Sequence, residues 1–309
     1  MAAGLTIATA YDTLGESGLT HSLNEPNCVG VFTNAELLPT VLRVLPNTPT
    51  IKVVIYDGKP AADLVKKIKT AVPDREITVL SQDELRELGK DKPEHEERRP
   101  KPEDIACIMY TSGTTGAPKG VVLSQANLIA AVGAVQSLMG HIFAGDQDTF
   151  LAFLPLAHIL EYVVELAVGY FGMQVGYGRI RTLTDASVRN CQGDLKECKP
   201  TIMIGVPQIW ETIRKGILNN VNKMGAVKKS LFRGSMSIKK AGVPILSDIV
   251  DSVVFSAVRA QTGGRLRYVL NGGAALSVET QQFLSSALVT VLQGEIFLCV
   301  ESSFAHLAL

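Results

Sequence analysis

Residues 110–120 read YTSGTTGAPKG and place four Ser/Thr hydroxyls, three glycines and one lysine in eleven positions. Small hydroxyl side chains and glycine backbone N–H groups make a donor surface suited to an anion. Glycine permits the positive φ and close approach that such a surface needs. Lys119 adds a full positive charge, and Pro118 stiffens the chain just before it. The chemistry this set serves is polyphosphate binding. It is not the common nucleotide loop G-x-x-x-x-G-K-[S/T], because Lys119 follows a proline and precedes a glycine. No G-x-G-x-x-G follows the strand either. Local composition alone leaves a plain glycine-rich turn open as the other reading.

Such a loop must be held by regular elements. The apolar run Ile105–Met109 predicts a strand that feeds it, and Val121–Leu123 is apolar beyond it. Ser124 is placed to cap a helix running to about Met139. Strands are predicted over 149–154, 201–206 and 265–270, and helices over 159–171, from Pro207, and from the Ser277 cap to about Ala287. Upstream, 28–34, 36–45 and 50–57 read as strand, helix, strand, and Ser81 to Glu84 is a capping box. This alternation predicts an α/β fold of doubly wound, mostly parallel sheets flanked by helices. Residues 91–104 carry ten charged residues and three prolines in fourteen, the composition of a solvated loop.

The 309 residues balance 30 Lys+Arg against 30 Asp+Glu, so no overall electrostatic footprint for nucleic acid exists. The five cysteines form no C-x-x-C pair and are expected as thiols of a reducing compartment. The N-terminus has no basic region followed by a long apolar core, so no secretory signal is expected. Residues 120–145 lack charge, but Ser124, Gln125, Asn127, Gln136, Ser137 and His141 make a buried helix the better reading than a lipid-facing one. Residues 214–240 hold eight Lys/Arg and no acid. A solvated helical face is the default there, and contact with an anionic membrane surface or anionic cofactor is the sharper reading.

Four stretches, in order, resemble the motifs of the adenylate-forming (AMP-dependent synthetase/ligase) superfamily. YTSGTTGAPKG is similar to its signature loop, LPLAHILE at 154–161 to its second core motif, VPQIW at 206–210 to the segment of its fatty-acid gate, and NGGAAL at 271–276 to its adenine-binding turn. The combination looks most like eukaryotic long-chain fatty-acyl-CoA synthetases and extends to about Gly294. The resemblance implies an incomplete large AMP-binding domain over 1–294 and a divergent tail over 295–309. By the same resemblance, the family's upstream start and small C-terminal domain are expected to be missing from these 309 residues. The family's aromatic-Gly-x-Thr-Glu motif, whose glutamate binds Mg²⁺, does not follow Gln293-Gly294.

The implied activity is that of a long-chain fatty acid–CoA ligase, impaired in this chain. ATP, a long-chain fatty acid and coenzyme A give acyl-CoA, AMP and diphosphate through an acyl-adenylate. By resemblance Thr111, Ser112, Gly113, Thr114, Thr115, Gly116 and Lys119 hold the β- and γ-phosphates, with Thr114 near Mg²⁺. Gly273, Ala274 and Ala275 lie against adenine, His158 sits near the acyl-adenylate, and Trp210 gates an acyl tunnel. The plainer readings are a structural histidine and a core tryptophan. The family also implies an intracellular, peripheral place on endoplasmic reticulum, lipid droplet, peroxisomal or mitochondrial outer membranes, and no nucleic-acid partner. Two other functions stay open: a non-catalytic nucleotide-binding product, and an adenylate-forming ligase for another carboxylic acid.

Overall fold

The computed structural model describes residues 4–11, 14–90, 92, 99–111, 118–185, 188–223, 225–241, 255–296 and 305–308. The chain divides into two compact units, residues 1–128 and 129–309.

The first unit runs β1 (Ile7–Thr9), α1 (Gly15–Asn24), β2 (Gly30–Asn34), α2 (Leu38–Val44), β3 (Val53–Asp57), α3 (Leu64–Lys69), β4 (Thr78–Ser81), α4 (Gln82–Lys90), β5 (Ile105–Thr111), β6 (Lys119–Ser124) and the start of α5 (Gln125–Met139). Strands β2, β3 and β4 form a parallel sheet, as expected of strand–helix–strand spacing. Leu38, Val41 and Leu45 from the α2 region pack with Ile51, Val54 and Ile68 in its core. The capping box forms as read: the Ser81 amide donates to Glu84 Oε2 and the Glu84 amide to Ser81 Oγ. A second box opens α5, where the Asn127 amide donates to Ser124 Oγ. In the other sheet β1 pairs parallel with β5, and β6 returns antiparallel to β5. The sequence pattern did not reveal β1 and α1. Three residues are too few to show alternation, and α1 has only Leu19 and Leu23 as large apolar residues.

The second unit runs β7 (Thr149–Ala152), α6 (Ile159–Tyr170), β8 (Gln174–Tyr177), α7 (Asp194–Cys198), β9 (Ile202–Gly205), α8 (Pro207–Asn222), α9 (Ala226–Ala241), β10 (Tyr268–Asn271), α10 (Val278–Ala287), β11 (Thr290–Ile296) and β12 (Ala305–Ala308). The sheet order is β12-β11-β10-β9-β7-β8, parallel throughout except for β12. Every residue of β7 and β9 is buried, which is why both read as unbroken apolar runs rather than alternating ones. Successive side chains still take opposite faces. Leu151 and Met203 join Trp210, Phe283 and Leu284 on one face. Phe150, Ala152, Ile202 and Ile204 join Leu160 and Val164 of α6 on the other.

One buried carboxylate ties the amino-terminal ends of three strands together. Asp148, before β7, accepts from Arg267 Nη2 at 2.6 and 2.8 Å, from Thr201 Oγ1 at 2.7 Å and from the Ala144 amide at 2.6 Å. Burial pushes its carboxyl up, but these donors outweigh burial and hold it below the usual range. Among the described residues no helix is long and apolar enough to cross a membrane. Cys107 is buried, Cys28 and Cys198 are half-buried and Cys191 is exposed, all as free thiols.

Replacing the charge tests this lock. Asp148→Asn should lower the unfolding free energy by about 2–3 kcal/mol at pH 7. A carboxyl with a depressed folded pKa stabilises above its ordinary value and loses that contribution as pH falls. Urea titrations of wild type and variant should therefore converge as pH drops below 3.8, the ordinary carboxyl value.

Candidate functional site

Strands β7, β9 and β10 lie side by side and parallel, so their carboxyl ends share one edge of the sheet. From β7 the chain steps outward to β8, then crosses back to β9, β10 and β11 on the other side. The strand order reverses between β7 and β9, and open α/β sheets bind ligands in the crevice outside such a reversal. Three stretches read from the sequence emerge there: 153–158 from β7, Val206 from β9, and 272–276 from β10. They are separated by about fifty and sixty-five residues in sequence and are brought together only by the sheet.

The turn after β10 is shaped by its own residues. Asn271 is 2% exposed, and its Nδ2 donates to the Ala274 carbonyl at 2.8 Å. The Gly272 amide continues the ladder by donating to the Gly205 carbonyl at 3.0 Å. Gly273 has φ +79°, a left-handed conformation that a side chain would strain. Gly273, Ala274 and Ala275 are exposed, whereas Leu276 anchors the turn in the core. The result is an open shelf without bulky side chains. Beyond it Ser277 caps α10, its Oγ accepting from the Thr280 amide at 3.3 Å. The same hydroxyl donates to Glu211 of α8 at 3.0 Å, and Arg214 of α8 pairs with Glu279. The α8 helix thereby fixes the shelf.

His158 sits at the N-cap of α6, with Nδ1 accepting from the Leu160 amide at 3.4 Å. An accepting Nδ1 assigns the neutral ring's proton to Nε2, leaving that atom as the donor. Partial burial holds the imidazole pKa below its ordinary value, so the ring is neutral at pH 7.

Trp210 is 0% exposed and packs in the core, where Gly205 makes room for it. A Cβ on Gly205 would lie 2.7 Å from the indole. The core-anchor reading describes its packing.

An apolar cavity of about 70 Å³ lies between α5, α6 and the sheet. Val135, Leu160, Val164, Phe171 and Ile204 are among its walls, and Trp210 is not. Leu270, Asn271 and Gly272 also line it, so it abuts the shelf.

Sequence reading missed Glu161. It lies in the first turn of α6, fully buried, and neither carboxylate oxygen has a hydrogen-bond partner among the described residues. Burial, with Glu165 one turn on, raises its pKa to about 8, and the Phe153 backbone only partly opposes this without reaching hydrogen-bond geometry. The signal available was an acid inside the apolar run ILEYVVEL.

In the first unit Thr111 ends β5 and the exposed Lys119 begins β6, and the two are register partners. Ser112, Gly113, Thr114, Thr115 and Gly116 lie outside the described residues. So do 297–304 of the tail and most of 91–98.

A mostly parallel sheet whose adjacent carboxyl ends carry a small-residue shelf, a neutral histidine and an apolar cavity is an α/β domain with a ligand crevice at its strand-order reversal. The family model for the AMP-binding enzyme matches residues 1–294, and the chain belongs to that family. It is 46% identical over 295 residues to long-chain-fatty-acid–CoA ligase 2 of Schizosaccharomyces pombe, covering 94% of this chain and 42% of that protein. It is 44% identical to long-chain-fatty-acid–CoA ligase 4 of Saccharomyces cerevisiae, covering 95% of this chain and 44% of that protein. The chain thus spans less than half the length of these relatives. Among solved structures it is similar to the A domain of a carboxylic acid reductase from Segniliparus rugosus, in complex with AMP and a co-purified carboxylic acid. The TM-score is 0.66 at 18% identity, over 94% of this chain and 44% of that one. The fold is that of adenylate-forming enzymes.

Glu161 carries a pH signature. Its carboxyl is protonated in the fold up to about pH 8, whereas in the unfolded chain it ionises near 4.5. The stability it contributes is complete below pH 4.5 and declines as pH rises toward 8. Glu161→Gln keeps the shape and cannot ionise. Melting temperature between pH 5 and 8 should fall less steeply for this variant than for wild type.

Proposed function

We propose that this chain forms the nucleotide- and carboxylate-binding part of a long-chain fatty acid–CoA ligase. The observation that carries the proposal is the convergence of the 154–161, 206–210 and 271–276 motifs on adjacent strand ends beside an apolar cavity. The relatives at 44–46% identity support the choice of substrate. In the first step a carboxylate oxygen of the fatty acid attacks the α-phosphorus of ATP, and the bond to diphosphate breaks. In the second, the thiolate sulfur of coenzyme A attacks the acyl carbonyl and AMP leaves. Both steps crowd negative charge, so neutralisation and positioning are what the protein must supply.

In this reading Thr111 through Gly116 and Lys119 hold the β- and γ-phosphates. Gly273, Ala274 and Ala275 accept the flat adenine, and the neutral His158 donates toward the acyl-adenylate. The cavity against α6 takes the start of the acyl chain, and Trp210 braces the α8 end from within the core. Thr114, the residue assigned to Mg²⁺, lies outside the described residues. Among those described, no group of three His, Cys, Asp or Glu side chains could hold a metal. Mg²⁺ enters here as the counter-ion of ATP's phosphates, with no step routed through it.

A peripheral contact with an anionic intracellular membrane belongs to the same proposal, because the substrate partitions into lipid. Arg214 adds little to that surface, because it is largely covered and its charge is matched by Glu279. Val227 and Leu231, one turn apart on α9, are 83% and 54% exposed and flanked by Lys229 and the exposed Arg233.

Two measurements test this function. ATP should bind the purified chain and bind more weakly to Lys119→Ala, and any ATP–diphosphate exchange should require palmitate. Nucleotide binding without exchange would favour the non-catalytic reading, exchange with short or aromatic acids only would favour another ligase, and no nucleotide binding would end the proposal. For the membrane arm, Lys229→Gln with Arg233→Gln should weaken binding to phosphatidylserine vesicles at low salt by roughly thirtyfold in a sedimentation assay, at about 1 kcal/mol for each of the two charges. Unchanged sedimentation would remove α9 from the surface.

A further inference from the structure

Helix α1 lies against the base of the hairpin that carries the Gly/Thr loop. Gly18, His21 and Glu25 fall at spacings of three and four and so share one face of the helix. A Cβ on Gly18 would lie 3.6 Å from the Pro118 ring, so the helix backbone comes close to the β6 end of the loop. His21 Nε2 donates to the Pro118 carbonyl at 3.0 Å. Its ring meets Tyr110 edge-on, with centroids 6.0 Å apart and planes at 81°. Glu25, whose carboxylate is 3.6 Å from the same His21 nitrogen, accepts the Tyr110 hydroxyl at 2.6 Å.

Tyr110 and Pro118 stand on opposite sides of the loop. Tyr110 is 1% exposed and precedes Thr111 on β5, and Pro118 precedes Lys119 on β6. Gly120, the register partner of Tyr110, completes the arrangement. A Cβ there would lie 3.1 Å from the tyrosine ring and 3.3 Å from the Glu25 carboxylate. A glycine opposite the tyrosine therefore leaves the space that the Tyr110–Glu25 bond occupies. One helix face thus grips both stalks of one loop through two different hydrogen bonds.

We propose that α1 is a clamp for the phosphate-binding loop, with His21 and Glu25 as positioning residues that act through Pro118 and Tyr110. The inference rests on the reading of Thr111–Lys119 as the loop that holds ATP's β- and γ-phosphates. Fixed stalks hold the base of the hairpin and with it Lys119, which begins β6, so that binding does not have to order these residues. The clamp acts on the phosphates that ATP has and AMP lacks.

Calorimetric titration of the full chain with ATP and with AMP separates this role from a merely structural one. His21→Ala should weaken ATP about three- to tenfold and leave AMP unchanged. His21→Gln, whose amide N–H can replace the ring donor, should recover most of the loss. Tyr110→Phe removes only the hydroxyl, keeps the buried ring, and should weaken ATP in the same selective way. Parallel loss of ATP and AMP affinity, or unchanged ATP affinity in both His21→Ala and Tyr110→Phe, overturns the clamp. A wild-type chain that binds ATP no more tightly than AMP overturns the phosphate-loop reading itself, and the clamp with it.

Discussion

The arrangement of the second unit depends on one buried carboxylate. Asp148 collects donors from the chain before β7, from the start of β9 and from the start of β10. A charge removed from water is tolerated only when its lone pairs are satisfied. The three strand entrances must therefore stay together and in register. Fixing the entrances fixes the exits, because parallel strands of four residues leave little slack. The candidate site consists of those exits: the His158 loop, Val206 and the Asn271–Leu276 turn all leave the sheet at the opposite edge.

Polar groups near the exits follow a different rule. Desolvation lowers the pKa of His158 and raises that of Glu161, so both are neutral at pH 7. In the proposed reaction, which brings phosphates and a carboxylate together, neutral dipoles and an apolar cavity suit the reactants better than a further fixed anion. Glycines do the complementary steric work where two parts must approach closely. Gly205 receives the Trp210 indole, and Gly120 leaves room for Tyr110 and Glu25. In both cases the bulky partner is a ring almost wholly removed from water.

Much was legible in the residues. The capping boxes at Ser81 and Ser124 and the Ser277 cap were readable because a cap is local: donor and acceptor lie three residues apart. The buried strands β7 and β9 were readable as unbroken apolar runs. Strand β1 and helix α1 were not, since their roles are set by β5 and by Pro118, about a hundred residues on. Glu161 was passed over because an acid in an apolar helix looks like an exposed face until its burial is known. The basic stretch 214–240 read as one surface, yet Arg214 is largely covered and paired with Glu279 of α10.

The sequence by itself determined the α/β alternation, the motifs and their order, and the residue types suited to holding a nucleotide. These are short-range properties, fixed by propensity, capping and spacing within a few residues. Only the tertiary structure decided which of those residues meet. Strand order in a sheet is not written in any local pattern. It follows from crossovers that carry β7, β9 and β10 to neighbouring places and so put three distant motifs on one edge. The same long-range closure laid α1 across the stalks of the Gly/Thr loop.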